Sequence, residues 1–312
     1  MLREESDTGG TGTSPRPSSP GEIFPPAVIP GWDSAFHAEL DSTNLEAKRR
    51  IAAGHTGKFL LIAESQANGQ CRHDRLWESP PGKGIWASFI LPAAVPLAWL
   101  PQSALVLAVA VREGIYEATR VDLEAKWPND LLGLRQKCCG LLVETALGTT
   151  GETAGKNAPA GVPARAVQLV LGVGINCNHG ADDFPPYLQG VAASLSMLAG
   201  GKWFSRAAVL LAVARSIDRW FAVWQNQGFS RIRAAWLAHN CTLGETILLP
   251  EGYGHSQATA HDMDPSGALV ALTDGGDRIR IDSGEILFPD GAGNARGARP
   301  SGEKTKKSAL SP

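Results

Sequence analysis

No C-x-x-C pair occurs in the sequence, and its five cysteines are an odd number of which only Cys138 and Cys139 lie close together. A disulfide framework and a thiolate zinc site are therefore not expected, and reduced thiols suit a cytoplasmic protein. H-E-x-x-H is missing as well, so a zinc-hydrolase helix is not expected. No apolar run approaches the length of a membrane span. The opening residues, Met1 to Pro26, have no apolar core after a basic start, so no signal peptide is expected. Basic excess is also lacking: 29 Lys and Arg against 31 Asp and Glu give a net charge of -2. The pI near 6.4 then leaves no broad electrostatic footprint for nucleic acid.

What is present is a chain of 312 residues, 43% hydrophobic and 19% charged, enough for one large domain and one small one. Residues 1–32 are Ser, Thr, Gly, Pro and charge, which predicts a disordered tail with no room for a helix-turn-helix. The basic run 291–312 predicts a second tail. Between them, the expected catalytic domain spans 33–238, and short alternating strands with Gly, Pro and Asp turns predict a small β-barrel or meander over 239–290.

Thr43 and Glu46 satisfy a capping box, which predicts a helix through Leu45 and Ile51 that stops near Gly54. Ser42 and Thr43 therefore read as capping hydroxyls, or as hydroxyls that also face a polar ligand. KFLLIAESQ (58–66) is an apolar strand turning polar at its end, and IWASFILP (85–92) resumes the sheet. The loop between them is long for a hairpin and carries Trp77 among charges, a ring costly to leave in water unless something stacks on it. Residues 102–119 predict a buried helix. Ser205–Gln227 predicts another, whose stripe of Leu210, Val213, Ile217, Trp220, Phe221 and Trp224 is core rather than chemistry. Residues 191–199 suggest a short helix, and 148–163 a Gly/Ala/Thr loop.

The most informative stretch is KWPNDLLGLRQKCCGLLVE, 126–144. Pro128 ends the approaching strand and places Asn129 and Asp130 at its tip. A hairpin then carries Lys137 to the lip of an apolar strand. A lysine there is either a solvated hairpin residue or a point charge for a carboxylate or phosphate. Further on, Gly172 and Gly174 flank Val173, which predicts a strand whose backbone lies close to another segment or to a ligand. This is no dinucleotide fingerprint, because no G-x-G-x-x-G leads into a helix.

Four motifs follow one another: DSTN (41–44), ESQ-x-x-G-x-x-R-x-x-R-x-W-x-SP-x-G-x-G (64–84), KWPND-x6-K-x2-G-x-L-x-E (126–144) and GVGIN (172–176). In this order and spacing they resemble the biotin protein ligase family, and the resemblance covers nearly everything from Asp41 to Asp290. It implies an α+β fold, a mixed β-sheet with helices packed against it of the biotin/lipoate ligase type, with a small C-terminal β-barrel cap. It also implies a monofunctional form without the N-terminal DNA-binding domain. Ser42, Thr43, Asn44, Gln66, Gly69, Gln70, Cys71, Arg72, Lys137 and Gly140 match biotin-side positions. Arg75, Trp77, Asn129, Lys137 and Asn176 match nucleotide-side ones. Within the loop, Gln70, Cys71 and Asp74 replace an arginine and two glycines of the family's pattern. That leaves Arg72 and Arg75 as the retained cations and a less permissive backbone.

The implied chemistry is ATP-dependent biotinylation of a carrier lysine through biotinyl-5'-AMP, with Lys137, Arg72 and Asp130 as the catalytic set. ATP and biotin are substrates and Mg2+ accompanies the nucleotide. The implied partner is a biotin carboxyl carrier protein or domain, such as that of acetyl-CoA carboxylase, with no DNA or membrane partner expected. A homodimer through an exposed sheet edge stays open, as do two rival readings: a lipoate or octanoyl ligase, and a biotin-sensing regulator without turnover.

Overall fold

Leu60, Leu61 and Ile62 are consecutive and all buried, which requires a strand covered on both faces. The computed structural model, which describes residues 29–72, 75–146 and 165–294, has that arrangement. Leu60 and Ile62 enter the main core, whereas Leu61 packs with Ala47, Ile51, Ile90 and Val170 on the opposite side. The strand is β2, Phe59–Gln66. It pairs in parallel with β1, Asp33–Leu40, and antiparallel with β3, Ile85–Val95. The sheet continues through β7 (Arg165–Ile175), β6 (Gln136–Ala146), β5 (Asp130–Gly133) and β4 (Glu124–Lys126), every one of these pairings antiparallel.

One face is covered by α1, Thr43–Ala52. The other carries α2 (Ser103–Thr119), α4 (Arg206–Gln227) and α5 (Ser230–Ala238), with a short α3 at Leu195–Leu198. The N-cap of α1 is Ser42, whose Oγ accepts from the Leu45 amide. The expected capping box on Thr43 therefore does not form, since the cap lies one residue earlier and its third helical residue is Leu45, and Thr43 is released into the wall of the cleft described below.

The C-terminal cap is a four-stranded antiparallel sheet: β8 (Thr246–Leu248), β9 (Gln257–Met263), β10 (Leu269–Leu272) and β11 (Arg278–Ile281). A bridge from Leu248 to Leu287 adds the following segment. Trp127 fastens the cap to the main sheet, its amide donating to Thr242 Oγ1 at 2.9 Å and its indole N–H to the Gly267 carbonyl at 3.1 Å. The two sheets share one hydrophobic core.

Domain limits differ from expectation at three places. Ile29 and Trp32 are buried, so the folded part starts ahead of 33. Residues 239–241 still pair with Ala125 of β4, so the small domain begins later than 239. Gly293 and Asn294 accept from the buried Lys126 ammonium, so the fold runs past 290. The expected loop at 148–163 and most of both expected tails lie outside the described residues, as do His73 and Asp74. Among the strands and α-helices, three had no sequence signal. β1 is an edge strand without clean alternation, β5 occupies residues expected in the hairpin turn, and α5 has a weak apolar stripe.

Trp32 meets Phe89 edge to face at 5.2 Å and donates to Asp218. Trp32→Ala is expected to lower stability by about 3–5 kcal/mol, the usual cost of emptying a buried aromatic site. A denaturant midpoint equal to that of the parent would show that this segment adds nothing to the fold.

Candidate active site

Three rows of residues cross the sheet on the face that α1 covers. Trp86, Gly174 and Gly140 form the first, Ser88, Gly172 and Leu142 the second, and Ile90, Val170 and Glu144 the third. The glycines are explained by what lies on them. A Cβ on Gly140 would stand 2.4 Å from the Trp77 ring and one on Gly174 2.9 Å from it. A Cβ on Gly172 would stand 2.4 Å from Asn44 Oδ1. The glycine pair around Val173 thus serves two different neighbours, the indole from the long loop and the first turn of α1.

The loop folds back as a narrow ribbon, with Gln70 bridged to Leu76 and the Trp77 amide donating to the Gly69 carbonyl at 2.8 Å. Gly69 is not in the lining of the cleft described next. Its part is close approach, because a Cβ there would sit 2.6 Å from the Trp77 carbonyl oxygen. Under the ribbon lies a cleft lined by Ser42, Thr43, Asn44 and Gln66 at one end and by Gln70, Cys71, Arg72 and Arg75 along its roof. Trp77, Asn129, Asp130, Lys137 and Gly140 complete it. All the expected site residues except Gly69 and Asn176 therefore meet in one place.

Polar contacts at the α1 end are dense. Gln66 Oε1 accepts from the Thr43 amide at 2.8 Å and hydroxyl at 3.1 Å, and Gln66 Nε2 donates to Ser79 Oγ. At the other end stands Lys137, its Nζ 2.9 Å from Asp130 Oδ1 and 5.3 Å from the Trp77 ring centroid. Burial works to deprotonate this amine, but the carboxylate of Asp130 overrides it and the ammonium is held above its ordinary pKa. Arg72 is pulled downward by burial and donates to Asn129 Oδ1 at 3.1 Å, while Asn129 donates to the Leu141 carbonyl. Half-buried cations at this end can receive an anion.

Cys71, on the roof, has its thiol pushed up to about 11 by burial, with Lys137 opposing. Its thiolate fraction near neutrality should be roughly a hundredfold below that of an unburied thiol. Iodoacetamide labelling of Cys71, followed by mass spectrometry, is expected to accelerate steadily with pH up to at least pH 10. A plateau below pH 9 would contradict this environment.

Several participants carried no sequence signal. Glu285, from the segment after β11, holds Arg75 through two contacts of 2.7 Å and lines the cleft, bringing the cap to the site. Ser88 is buried nearby, as is Lys126, which opens the KWPND motif. A second cavity of about 720 Å³ lies beyond Trp77 and shares Gln66, Cys71, Trp77 and Lys137 with the first. Asn176 lines it, donating from its side chain to the Ala193 carbonyl, beside His179, whose imidazole burial lowers to about 4. This volume is within the usual range for small-molecule sites.

The model of the Biotin/lipoate A/B protein ligase family matches residues 38–154. The chain is 31% identical over 254 residues to the biotin--[acetyl-CoA-carboxylase] ligase of Paracoccus denitrificans, covering 80% of this chain and 98% of that one. It is 30% identical over 248 residues to the bifunctional ligase/repressor BirA of Bacillus subtilis, covering 80% and 72% respectively. A solved biotin protein ligase from Aquifex aeolicus, in complex with biotin and ATP, superposes with a TM-score of 0.64 at 28% identity, over 81% of this chain and 97% of that one. The chain belongs to the biotin protein ligase family.

Proposed function

We propose that the protein activates biotin with ATP to biotinyl-5'-AMP and transfers the biotinyl group to a lysine of a biotin carboxyl carrier protein. The observation that carries this reading is the cleft itself. Polar groups of α1 and β2 close one end, a half-buried ammonium and a guanidinium stand at the other, and an indole lies between the two cavities.

Biotin's ring lies against Ser42, Thr43, Asn44 and Gln66, with its carboxylate toward Lys137 and Arg72. Gln70, Cys71 and Gly140 flank its chain. ATP takes the Trp77 side, with Asn129, Arg75 and Asn176 as its nearest polar groups. One carboxylate oxygen attacks the α-phosphorus, the bond to pyrophosphate breaks, and the mixed anhydride forms. Both reactants are anions, so Lys137 and Arg72 lower the barrier by offsetting their repulsion and the charge growing on the phosphorus oxygens. In the second step a carrier amine attacks the anhydride carbonyl, AMP leaves with the bonding pair, and Asp130 receives or orients the amine proton. The loop keeps water from the anhydride.

Magnesium takes most of its ligands from phosphate oxygens and water. Among the described residues no group of three or more His, Cys, Asp or Glu could hold a metal alone. Magnesium would accompany the nucleotide's phosphates, with Asp130 and Glu285 as carboxylates lining the cleft that could face it. Among the described residues the outer edge of β1 has no strand beside it, and it is where a carrier strand or a second copy would add. No DNA partner is proposed. Among the described residues no helix is long and apolar enough to cross a membrane, and the proposed setting is the cytoplasm.

Incubation with ATP, magnesium, labelled biotin and a carrier domain tests the reading. Biotin-dependent pyrophosphate release and label on the carrier lysine are expected. Binding of biotin without release would favour a sensor, and activation of lipoate in its place would favour the lipoate branch.

A further inference from the structure

Glu144 lies two residues along β6 from Leu142, at the rim of the α1 face, and touches no cavity. Its Oε2 accepts from Asn44 Nδ2 at 2.9 Å and its Oε1 from Lys48 Nζ at 2.9 Å. Asn44 Oδ1 in turn accepts from Ser88 Oγ at 2.5 Å, and Ser88 Oγ lies 2.7 Å from Thr43 Oγ1. Ser88, Asn44 and Thr43 are all buried, and Gly172 leaves the space that Asn44 needs. The chain connects a carboxylate at the rim to a hydroxyl in the cleft.

The acceptor at Glu144 sets the direction of the links that follow. An ionised carboxylate only accepts, so Asn44 must turn its NH2 toward Glu144 and its carbonyl toward Ser88. Ser88 has one proton, and the Asn44 carbonyl takes it. Ser88 can then only accept from Thr43. The Thr43 proton is therefore held within the wall, by Ser88 or by Gln66 Oε1, and Thr43 turns lone pairs to the ligand.

We propose that Glu144 is a positioning residue that fixes this polarity, so that the closed end of the cleft recognises a ring N–H donor. Building on the biotin reading above, the donor is a ureido N–H of biotin. A dithiolane ring, which has no N–H, gains nothing from such an acceptor. Without a pure acceptor at 144 the Asn44 amide is free to turn over, Ser88 donates to Thr43, and a Thr43 lone pair is lost to the ligand.

Calorimetric titration of the whole chain with biotin, with a biotin analogue methylated on the ureido nitrogens, and with ATP tests the assignment. Glu144→Gln is nearly isosteric at a side chain about 30% exposed, and its melting temperature is read in parallel, with Glu144→Ala as the second variant. Glu144→Gln is expected to weaken biotin about tenfold, the size of one misdirected buried hydrogen bond. It should also shrink the penalty for N-methylation and leave ATP affinity unchanged. Lys48→Ala, which removes the ion pair but keeps the acceptor, is expected to bind biotin within about twofold of the parent. Parental biotin affinity in both Glu144 variants, or equal loss for biotin and ATP, would overturn the positioning role alone. A parent chain that binds no biotin would overturn the biotin reading and this inference with it.

Discussion

Lys137→Ala is expected to slow biotinyl-adenylate formation by about 10²–10³-fold, the loss of roughly 3–4 kcal/mol that follows removal of one preorganised electrostatic contact. Lys137 stands between the two cavities, lines both, and faces Asp130 at 2.9 Å and the Trp77 ring at 5.3 Å. Truncation also leaves the Asp130 carboxylate without its partner in a mostly buried setting, which is destabilising in itself. The double variant Lys137→Ala, Asp130→Asn removes that complication. It is expected to regain stability without regaining adenylation. Lys137→Arg should not rescue, because a planar fork does not replace a compact ammonium in so confined a place. Biotin-dependent pyrophosphate release at saturating ATP measures all three, and near-parental rates in Lys137→Ala would remove the residue from the chemistry.

Gly140→Ala carries the second large effect, on the nucleotide. The new methyl would stand 2.4 Å from Trp77 Cζ3 on a β6 backbone held by partners on both sides, so the indole must move. KM for ATP is expected to rise tenfold or more, as expected for loss of an aromatic stacking surface worth about 1–3 kcal/mol per base. Biotin binding should weaken less than ATP binding, since the new methyl meets the indole while Thr43 and Gln66 hold the biotin ring at the opposite end. Adding Trp77→Ala to Gly140→Ala is expected to cost little more, because both changes remove the same contact. Full additivity of the two, read from ATP titrations, would mean that Gly140 has another role. Gly174→Ala, with a gap of 2.9 Å, should act in the same direction but more weakly.

What could be read from the sequence was local. Pro128 ended a strand, the turn residues after it placed Asp130, and the apolar run after Lys137 was a strand in fact. The glycines at 172 and 174 announced close approach without saying to what, because their neighbours, Asn44 and Trp77, are far away in the chain. Thr43 and Glu46 spelled a capping box, yet Ser42 caps, and both candidate caps lay within the same five residues. Ser88 looked like one polar residue in an apolar strand. Only register, which sets it opposite Gly172 and Leu61, puts it under Asn44. Arg75 read as a cation for phosphate, and its pairing with Glu285 could not be foreseen, since a contact spanning that much chain has no local pattern. The fold limits shifted for the same reason. Ile29, Trp32 and Asn294 sit in polar or Gly-rich text but find buried partners elsewhere.

The most direct test of the central claim is a crystal structure with biotinyl-5'-AMP bound. The expected density has the Lys137 ammonium within hydrogen-bonding distance of the anhydride or phosphate oxygens, the ribbon from Gly69 to Trp77 across the ligand, and the adenine against Trp77. A ligand seated elsewhere, with Lys137 still turned only to Asp130 and the ribbon apart from it, would contradict the assignment of this cleft as the place of reaction.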